Sequence, residues 1–332
     1  MLSIHYKDMR VALIRLSAIG DILRCLPAWQ NLHEGLPQIE FCAVIEDRHE
    51  FLMKPFKWIH PVVLERNKIT NPLKAIYEFR RVAEQIKHCD VSLDFHGVFK
   101  SSLIPYLGRI PARWGDGIHK EGAHWFQSQI LVPKKQSRYN QALGLAEAFG
   151  HTQGVYNLGH FRSLRKVIFG SDVSEVPSSP HKILLVPGAS PRGAHKRWPL
   201  NHWLLLAEQL KKNKDLAWCL GPNEIRLRSW LPQVSGISAL PQLPFWDMAE
   251  QVMKYDHVIS GDTSILHLAV ILGIPVSGLY GPSDPIIAGI PEGTGKILSN
   301  QLDCSPCRDR GCQRVTCLEN LKPKQVLDSL SL

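Results

Sequence analysis

The segment Arg10-Val-Ala-Leu-Ile-Arg-Leu-Ser-Ala-Ile-Gly-Asp-Ile-Leu-Arg-Cys-Leu26 joins a strand-like run to a helix-like run. Its apolar part, Val11–Leu16, has the length of a buried strand, and the helical pattern begins at Ile22. A turn containing Gly20 places the carboxylate of Asp21 at the helix start. Ligands of open α/β sheets bind beyond the carboxyl ends of strands, so this position suits a reactive acid. The alternative is that Asp21 only caps the helix and interacts with its positive end.

The same alternation of strands and helices continues along the chain. Further strands are predicted over 39–45, 62–64 and 91–95, and helices over 22–33, 72–88 and 138–149. Ser174–Pro180 has the composition of a linker. A second series follows, with strands over 182–186, 216–220, 257–260 and 276–280 and helices over 200–212, 223–230 and 264–272. This order predicts an α/β protein with two Rossmann-like domains, 1–175 and 176–332, that face each other across a cleft.

The bulk composition is that of an ordinary globular protein. The 332 residues exceed what one core usually holds, and 44% hydrophobic with 21% charged residues is typical of soluble proteins. No run approaches the roughly 18 apolar residues of a spanning helix, and the first ten residues lack the apolar stretch of a signal peptide. We therefore expect a cytoplasmic protein.

The positive charge is concentrated in the first half of the chain. Of the formal net charge of +9, residues 51–140 supply 15 Lys and Arg against 7 Asp and Glu. Such a region favours an anionic partner, such as a phosphorylated sugar or an anionic membrane surface, although a solvated basic face is the commoner explanation. The sequence carries no signature of a nucleic-acid-binding motif, so no nucleic-acid partner is expected.

A loop rich in small residues follows the predicted strand 182–186. It reads Pro187-Gly-Ala-Ser-Pro-Arg-Gly-Ala-His-Lys-Arg-Trp-Pro199. Small residues let backbone N–H groups approach a phosphate, and Lys196 and Arg197 can supply positive charge. The spacing is not that of a Walker loop. A solvated basic loop is the alternative.

The segment Ser260-Gly-Asp-Thr-Ser-Ile-Leu-His267 follows a strand and opens a helix. Asp262 or Thr263 can cap that helix, and the N–H groups of its first turn form a natural pyrophosphate site. His267 lies about one turn further and can add a donor, although a lone histidine is more often structural.

Taken together, these segments carry a family resemblance. Over nearly its whole length the chain resembles the ADP-heptose:lipopolysaccharide heptosyltransferases, glycosyltransferase family 9. Five elements occur in the family's order: Ser17-Ala-Ile-Gly-Asp21, His96-Gly-Val-Phe-Lys-Ser101, Lys196-Arg-Trp-Pro199, Asp262-Thr-Ser-Ile-Leu-His267 and Tyr280-Gly-Pro-Ser-Asp-Pro285.

The resemblance implies the GT-B fold and an inverting, metal-independent transfer of a heptose from ADP-heptose to the inner core of lipopolysaccharide. It implies that Asp21 is the general base and that Lys196 contacts the donor phosphates. Donor-binding positions implied by the resemblance are Ser190, Lys196, Glu224, Leu243, Asp262, Thr263, Ser264 and His267. Acceptor-binding positions are Ser17, Gly20, His96, Lys100 and Ser101. The ADP-sugar is a co-substrate, no cofactor is required, and the acceptor carries lipid, Kdo and phosphates, which implies peripheral contact with the inner membrane.

Two positions depart from the family pattern. Ser264 stands where glycine is usual after Asp-Thr, and His96 stands where the mid-domain motif commonly begins with glutamine. Because of these two departures, the identities of the transferred sugar and of the acceptor stay open. A GT-B transferase with another nucleotide sugar or acceptor is one alternative, and a catalytically silent nucleotide-binding or metal-binding protein is another.

Four of the eight cysteines cluster near the end of the sequence, at Cys304, Cys307, Cys312 and Cys317. Four thiolates this close could form a tetrahedral, structural zinc site. The spacing departs from the usual paired CxxC motifs, so free thiols with local packing are favoured. The remaining cysteines, Cys25, Cys42, Cys89 and Cys219, are expected to be small core residues.

Overall fold

The computed structural model describes residues 8–115, 121–131, 137–150, 158–170, 180–300, 302–307, 309, 311–312 and 314–330. The chain divides into two compact units, Met1–Gly170 and Ser171–Leu332. The predicted domain boundary at 175/176 and residues 174–179 of the predicted linker lie outside the described residues. Among the helices described, none has both the length and the apolar character needed to cross a membrane.

Unit 1 is built on a parallel sheet. Its strands are β1 (Arg10–Ile14), β2 (Glu40–Glu46), β3 (Ile59–Leu64), β4 (Val91–Asp94), β5 (Ala112–Gly115) and β6 (Gln129–Ile130). They are ordered β3-β2-β1-β4-β5-β6. Strands β1 and β4 are neighbours although they are far apart in sequence, with Val11 opposite Val91 and Ile14 opposite Asp94. The turns after these two strands therefore lie at the point where the strand order reverses, which is where open α/β sheets bind ligands.

Helices cover the sheet of unit 1. They are α1 (Ile19–Gly35), α2 (Pro72–Ile86), α3 (Phe99–Leu107), α4 (Arg138–Gly150) and α5 (Leu158–Phe169), and there are 3-10 turns at Asp47–Met53, Lys68–Thr70 and Ala123–Phe126. Helix α1 packs against α4 and α5, whereas α2 packs against α3. Right-handed crossovers from β3 to β4 and from β4 to β5 put α2 and α3 on one face of the sheet.

Unit 2 repeats this design. Its strands are β7 (Lys182–Val186), β8 (Asp215–Trp218), β9 (His257–Gly261), β10 (Val276–Tyr280) and β11 (Gly295–Ser299). Its helices are α6 (Leu200–Leu210), α7 (Ile225–Ser235), α8 (Phe245–Val252), α9 (Ser264–Ile271), α10 (Pro285–Ala288), α11 (Thr316–Glu319) and α12 (Pro323–Leu330), with a 3-10 turn at Pro191–Lys196. The order is β11-β10-β9-β7-β8, so the turns after β7 and β9 lie side by side at the reversal point.

The core of unit 2 is centred on three tryptophans. Trp203 packs edge-to-face against Trp198 and Trp218, with ring centroids 5.1 Å and 6.4 Å apart. Leu206 lies one turn further along α6 and is fully buried in the same cluster. Such aromatic pairs add to the stabilisation from apolar burial.

Most of the predicted elements are confirmed, and the differences have local causes. The first helix begins at Ile19 rather than Ile22. The predictions missed α3, which contains Pro105, and α5, which lies where the sequence pattern fades. They also missed the short strands β5 and β6. Apart from Gly115 their residues are exposed or partly exposed and do not form an apolar run.

Two neighbouring leucines of α6 test this packing. Leu206→Ala should lower the free energy of unfolding by about 2–5 kcal/mol, because it leaves a cavity in the tryptophan cluster. Leu205→Ala, at a largely exposed position, should change it by less than about 0.5 kcal/mol. Urea unfolding followed by tryptophan fluorescence measures both, and equal effects would contradict the assigned core.

Candidate functional site

Asp21 lies in the first turn of α1 but does not cap the helix. The N-cap residue is Ala18, which makes no side-chain capping bond. Asp21 Oδ2 lies 2.9 Å from Arg15 Nη2, and Oδ1 lies 2.9 Å from Arg24 Nη1. The carboxylate thus pairs with two buried guanidinium groups at the carboxyl end of β1.

These pairs fix the ionisation of Asp21. Burial raises the pKa of Asp21, but the charges of Arg15 and Arg24, with smaller effects from Arg138 and His96, leave that pKa well below its usual value. Burial lowers the pKa of Arg15, and Asp21 more than offsets this, so the pKa of Arg15 is raised. The pair is therefore ionised throughout the neutral range.

The sequence predictions missed Arg15 and Arg24. The spacing of Asp21 and Arg24, three residues apart in one helix, was an available signal for an ion pair. Arg15 carried no comparable signal, because an arginine inside an apolar strand-like run gives no indication of its partner.

A small cavity lies beside Asp21. The centre of a water molecule can occupy a volume of about 10 Å³ in this cavity, so there is room for about one water molecule. Three guanidinium groups and one carboxylate reach its wall, so the charge around it is positive. The lining residues are Arg15, Asp21, Arg24, Cys25, Phe95, Arg138, Gln141 and Ala142.

The turn after β4 carries the predicted His96 and Ser101, and it is organised by Asp94. Asp94 Oδ1 accepts hydrogen bonds from the backbone N–H groups of His96 and Gly97, at 2.9 Å and 3.1 Å. Asp94 Oδ2 accepts from Ser101 Oγ at 3.0 Å. Ser101 is fully buried inside this turn, whereas His96 is partly exposed at the edge of the sheet.

Lys100 belongs to a second charged group, centred on Glu46 at the end of β2. Lys100 Nζ lies 3.1 Å from Glu46 Oε1, and Arg48 and Arg66 lie 2.7 Å and 3.1 Å from Oε2. Burial raises the pKa of Glu46, but the bond to Lys100 and the charges of all three cations lower it by more. The sequence predictions missed Glu46, which holds these cations together at the carboxyl edge of the sheet.

Ser17 and Gly20 belong to the turn that joins β1 to α1. Ser17 precedes the N-cap residue, and Gly20 lies in the first turn of the helix beside Asp21. The structure therefore places these two predicted acceptor residues at the same edge of unit 1 as Asp21 and His96.

In unit 2, Asp262 brings together side chains from two turns and from helix α9. Asp262 Oδ2 lies 2.6 Å from Lys196 Nζ and accepts a hydrogen bond of 2.7 Å from Ser283 Oγ. Asp262 Oδ1 lies 3.5 Å from His267 Nε2. An ionised carboxylate can only accept, so Asp262 holds Lys196 and Ser283 in place. The motif containing Ser283 was noted in the sequence, but its link to Asp262 was not predicted.

The N-terminus of α9 lies beside this group. Thr263 is the N-cap residue, and its hydroxyl accepts from the Leu266 N–H at 3.4 Å. The first N–H groups of a helix have no partner within the helix and carry its positive end. Ser264, where glycine was the expected residue, is partly exposed at this first turn. Together with Lys196, the turn can hold an anion.

Glu224 marks a second polar point at the carboxyl edge of unit 2. Its Oε2 accepts a hydrogen bond of 2.7 Å from the Gly221 N–H, and its Oε1 lies 3.7 Å from Arg197 Nη2. Within the described part of the chain, the buried Oε1 has no hydrogen-bond partner. A Cβ on Gly188 would lie only 1.9–2.1 Å from the carboxylate atoms, so the observed position of the carboxylate needs a glycine at 188.

The two other predicted donor residues occupy flanking positions. Ser190 is the N-cap of the 3-10 turn that ends at Lys196. Leu243 lies in the segment that leads into α8 and is 37% exposed.

The cysteines are all free where the structure describes them. Cys25, Cys89 and Cys219 are buried and Cys42 is half-buried, which agrees with their expected place in the cores. The clustered cysteines range from exposed Cys304 to buried Cys317. Among the described residues, no three potential ligands are close enough to hold a metal ion.

The sequence model of glycosyltransferase family 9 (heptosyltransferase) matches residues 79–317. The chain belongs to this family. It is 26% identical over 355 aligned residues to lipopolysaccharide heptosyltransferase 1 of Escherichia coli K12, with 97% of this chain and 99% of the relative covered.

Solved structures of the family share the fold. E. coli heptosyltransferase WaaC with ADP-2-deoxy-2-fluoro heptose has a TM-score of 0.72 at 21% identity and covers 96% of this chain and 98% of its own. A glycosyltransferase of family 9 from Veillonella parvula has a TM-score of 0.76 at 16% identity, and the match covers 99% of this chain and 97% of that structure's chain. The protein is therefore a glycosyltransferase with the GT-B fold, as predicted.

The charges around Asp21 lead to a test of stability. Asp21→Asn leaves Arg15 and Arg24 without their counter-charge and should lower the free energy of unfolding at pH 7 by about 1–3 kcal/mol. The pKa of Asp21 in the folded protein lies below the unfolded value of about 3.9. The difference from wild type should thus be constant above about pH 5 and shrink as the pH falls below 4.

Urea unfolding at pH 7, 5 and 3.5 measures this difference. Glu50→Gln, an exposed acid of the same unit, is the matched control and should change stability little. A penalty for Asp21→Asn that does not decline at low pH would contradict the assigned ion pairs.

Proposed function

We propose that this glycosyltransferase moves a heptose from ADP-heptose to the inner core of lipopolysaccharide, with inversion at the anomeric carbon and without a metal ion. Family membership and the similarity to heptosyltransferase 1 of E. coli support the reaction. The related WaaC structure with an ADP-heptose analogue supports the donor.

The observation that carries the proposal is the Lys196–Asp262 pair beside the N-terminus of α9 at the carboxyl edge of unit 2. Lys196 is held by Asp262, which directly precedes the N-cap residue of α9, and the first N–H groups of a helix have no partner within the helix. In the proposed mechanism the donor diphosphate binds here. Lys196 and these N–H groups stabilise the negative charge that grows on the departing ADP, and each such donor can contribute about 3–4 kcal/mol.

Glu224 is proposed to hold the donor ribose. Its buried Oε1 has no hydrogen-bond partner among the described residues, and a sugar hydroxyl can donate to it. Ser190, Leu243 and His267 are proposed to complete the donor site. Asp262 acts through Lys196, Ser283 and His267, so it is a positioning residue for the phosphate contacts.

Asp21 is proposed to accept the proton of the attacking acceptor hydroxyl. The low pKa makes it a weak base, but it is ionised at every working pH. A hydroxyl that has begun to bond to the anomeric carbon is far more acidic than a free one, so a weak base suffices late in the reaction. A single displacement of this kind inverts the anomeric configuration and needs one carboxylate near the acceptor.

The acceptor is proposed to bind at the carboxyl edge of unit 1. Ser17, Gly20 and His96 lie near Asp21, and Lys100 lies among the cations around Glu46. These cations suit an acceptor that carries phosphates and carboxylates, such as the Kdo-bearing inner core. Because the proposed acceptor is linked to lipid, we propose that the transfer takes place at the cytoplasmic face of the inner membrane.

Two substitutions separate chemistry from donor binding. Asp21→Asn should lower kcat by about 100-fold or more and leave ADP affinity unchanged, because the base does not touch the nucleotide. Lys196→Ala should lower both kcat and ADP affinity, the latter by about tenfold. Transfer from ADP-heptose to truncated lipopolysaccharides is read as a mass increase, and ADP binding by calorimetry.

Controls and contrary outcomes follow from the same assay. Chelator should leave the rate unchanged, and the product linkage should be inverted relative to the donor. Near-wild-type turnover in Asp21→Asn would remove Asp21 from the mechanism. Failure of every ADP-heptose reaction, together with transfer from another nucleotide sugar, would replace the proposed donor.

The Gly188–Glu224 contact tests the ribose site. Gly188→Ala should push the carboxylate away, because the new Cβ would overlap it, whereas Gly221→Ala places a Cβ at an ordinary 3.5 Å from Glu224 Oε2. Calorimetry should show that Gly188→Ala reduces the preference for ADP over 2′,3′-dideoxy-ADP by about tenfold. Gly221→Ala should keep it, and an unchanged preference in Gly188→Ala would contradict the role of Glu224.

A further inference from the structure

Helix α2 is apolar on two sides. Its inner side buries Ala75, Val82 and Ile86 against the unit. Its outer side exposes Leu73 by 73%, Ile76 by 50% and Tyr77 by 76%. These residues are spaced as neighbours on one helix face, so they form a continuous apolar stripe in solvent.

Exposed aromatic side chains also lie on the elements that neighbour α2. Helix α3 packs against α2, and the turn Ala123–Phe126 packs against α3. Phe126 lies edge-on to Phe99 and Tyr106, with ring centroids 5.2 Å and 5.1 Å away. Phe99, Tyr106 and Trp125 are all exposed, Trp125 by 73%. The α2–α3 face is defined here as Leu73, Ile76, Tyr77, Phe99, Tyr106 and Trp125.

The charge on this face is positive. Lys74 and Arg80 are exposed on α2, and within the described residues neither forms an ion pair with a carboxylate. The acids of α2 are neutralised, because Glu78 is buried against Arg81 and Glu84 pairs with Lys87. The excess cations thus stand beside exposed aromatic and aliphatic side chains.

We propose that the α2–α3 face binds an anionic lipid surface. Amphipathic helices that lie in a membrane interface insert apolar and aromatic side chains and place Lys and Arg against anionic headgroups. Tyr and Trp favour this boundary because each has an apolar ring and a polar group. A folded protein partner would be expected to neutralise Lys74 and Arg80 with acids, whereas a lipid bilayer supplies both acyl chains and anionic charge.

The position of the face suits a lipid-borne acceptor, and this part of the argument rests on the proposed function. Phe99 is the first residue of α3 and precedes Lys100, which pairs with Glu46 at the carboxyl edge of the sheet. A protein docked on this face would therefore hold the edge that carries Lys100 close to the lipid surface.

Vesicle co-sedimentation tests the proposal without any acceptor or donor. The full chain should bind vesicles of phosphatidylethanolamine and phosphatidylglycerol at least tenfold more strongly than phosphatidylcholine vesicles, and added salt should weaken the binding. Leu73→Ser/Ile76→Ser/Tyr77→Ser should reduce the partition coefficient about tenfold or more. Lys74→Gln/Arg80→Gln should reduce binding to the anionic vesicles alone.

A matched control uses exposed apolar residues of unit 2. Leu205→Ser/Ile225→Ser changes side chains that are exposed over a similar range, by 56% and 72%, and should leave vesicle binding unchanged. Circular dichroism and ADP affinity check that each variant is folded, since none of these residues is placed in the reaction.

Three outcomes would overturn the proposal. The first is that the protein does not bind anionic vesicles. The second is that the unit 2 control variant loses as much vesicle binding as the triple α2 variant. The third is that the wild-type protein forms a concentration-dependent dimer that the triple α2 variant does not form. Failure of the proposed heptose transfer leaves vesicle binding as a separate measurement, so the two proposals fail independently.

Discussion

Every strand pair in the two sheets is parallel, and this constraint decides where polar groups can lie. Parallel strands put all their carboxyl ends at one edge, and the helices that connect them start at the same edge. Asp21, Glu46 and the Asp94 turn gather there in unit 1, and Lys196, Glu224 and Asp262 gather there in unit 2. Because the central strands β1, β4, β7 and β9 are almost wholly buried, this edge is where their unpaired backbone groups and the charged side chains that follow them meet solvent.

The buried and half-buried carboxylates at these edges are stabilised in the same way, by cations and hydrogen-bond donors that contact them. Asp21 is paired with two arginines, Glu46 with two arginines and a lysine, and Asp262 with Lys196 and a serine hydroxyl. A charge removed from water is tolerated only when it is paired and hydrogen-bonded. In unit 1 the cations outnumber the acids they surround. That surplus is the physical basis on which we propose an anionic acceptor.

The strands were predictable wherever both faces are buried. Lys182–Val186 and Val276–Tyr280 were predicted with the observed bounds. The first contains the apolar run Ile183–Val186, and both segments are bounded by turn residues such as Pro187, Pro275 and Gly281. The short strands β5 and β6 lack such runs. Asp21, Lys196 and Thr263 could be predicted as site residues because each belongs to a local motif. Lys100 and Glu46, by contrast, are 54 residues apart, and only the tertiary fold brings them together.

The bond between Lys196 and Asp262 has a consequence for selectivity. An anion that binds Lys196 would compete with the Asp262 carboxylate, which already contacts the ammonium group at 2.6 Å. A small, singly charged ion would form few other contacts to compensate for the contact that it replaces. A larger polyanion can share the ammonium with Asp262 and reach the helix end at the same time. In the proposed donor site the Asp262 carboxylate would thus compete with small ions more effectively than with a diphosphate.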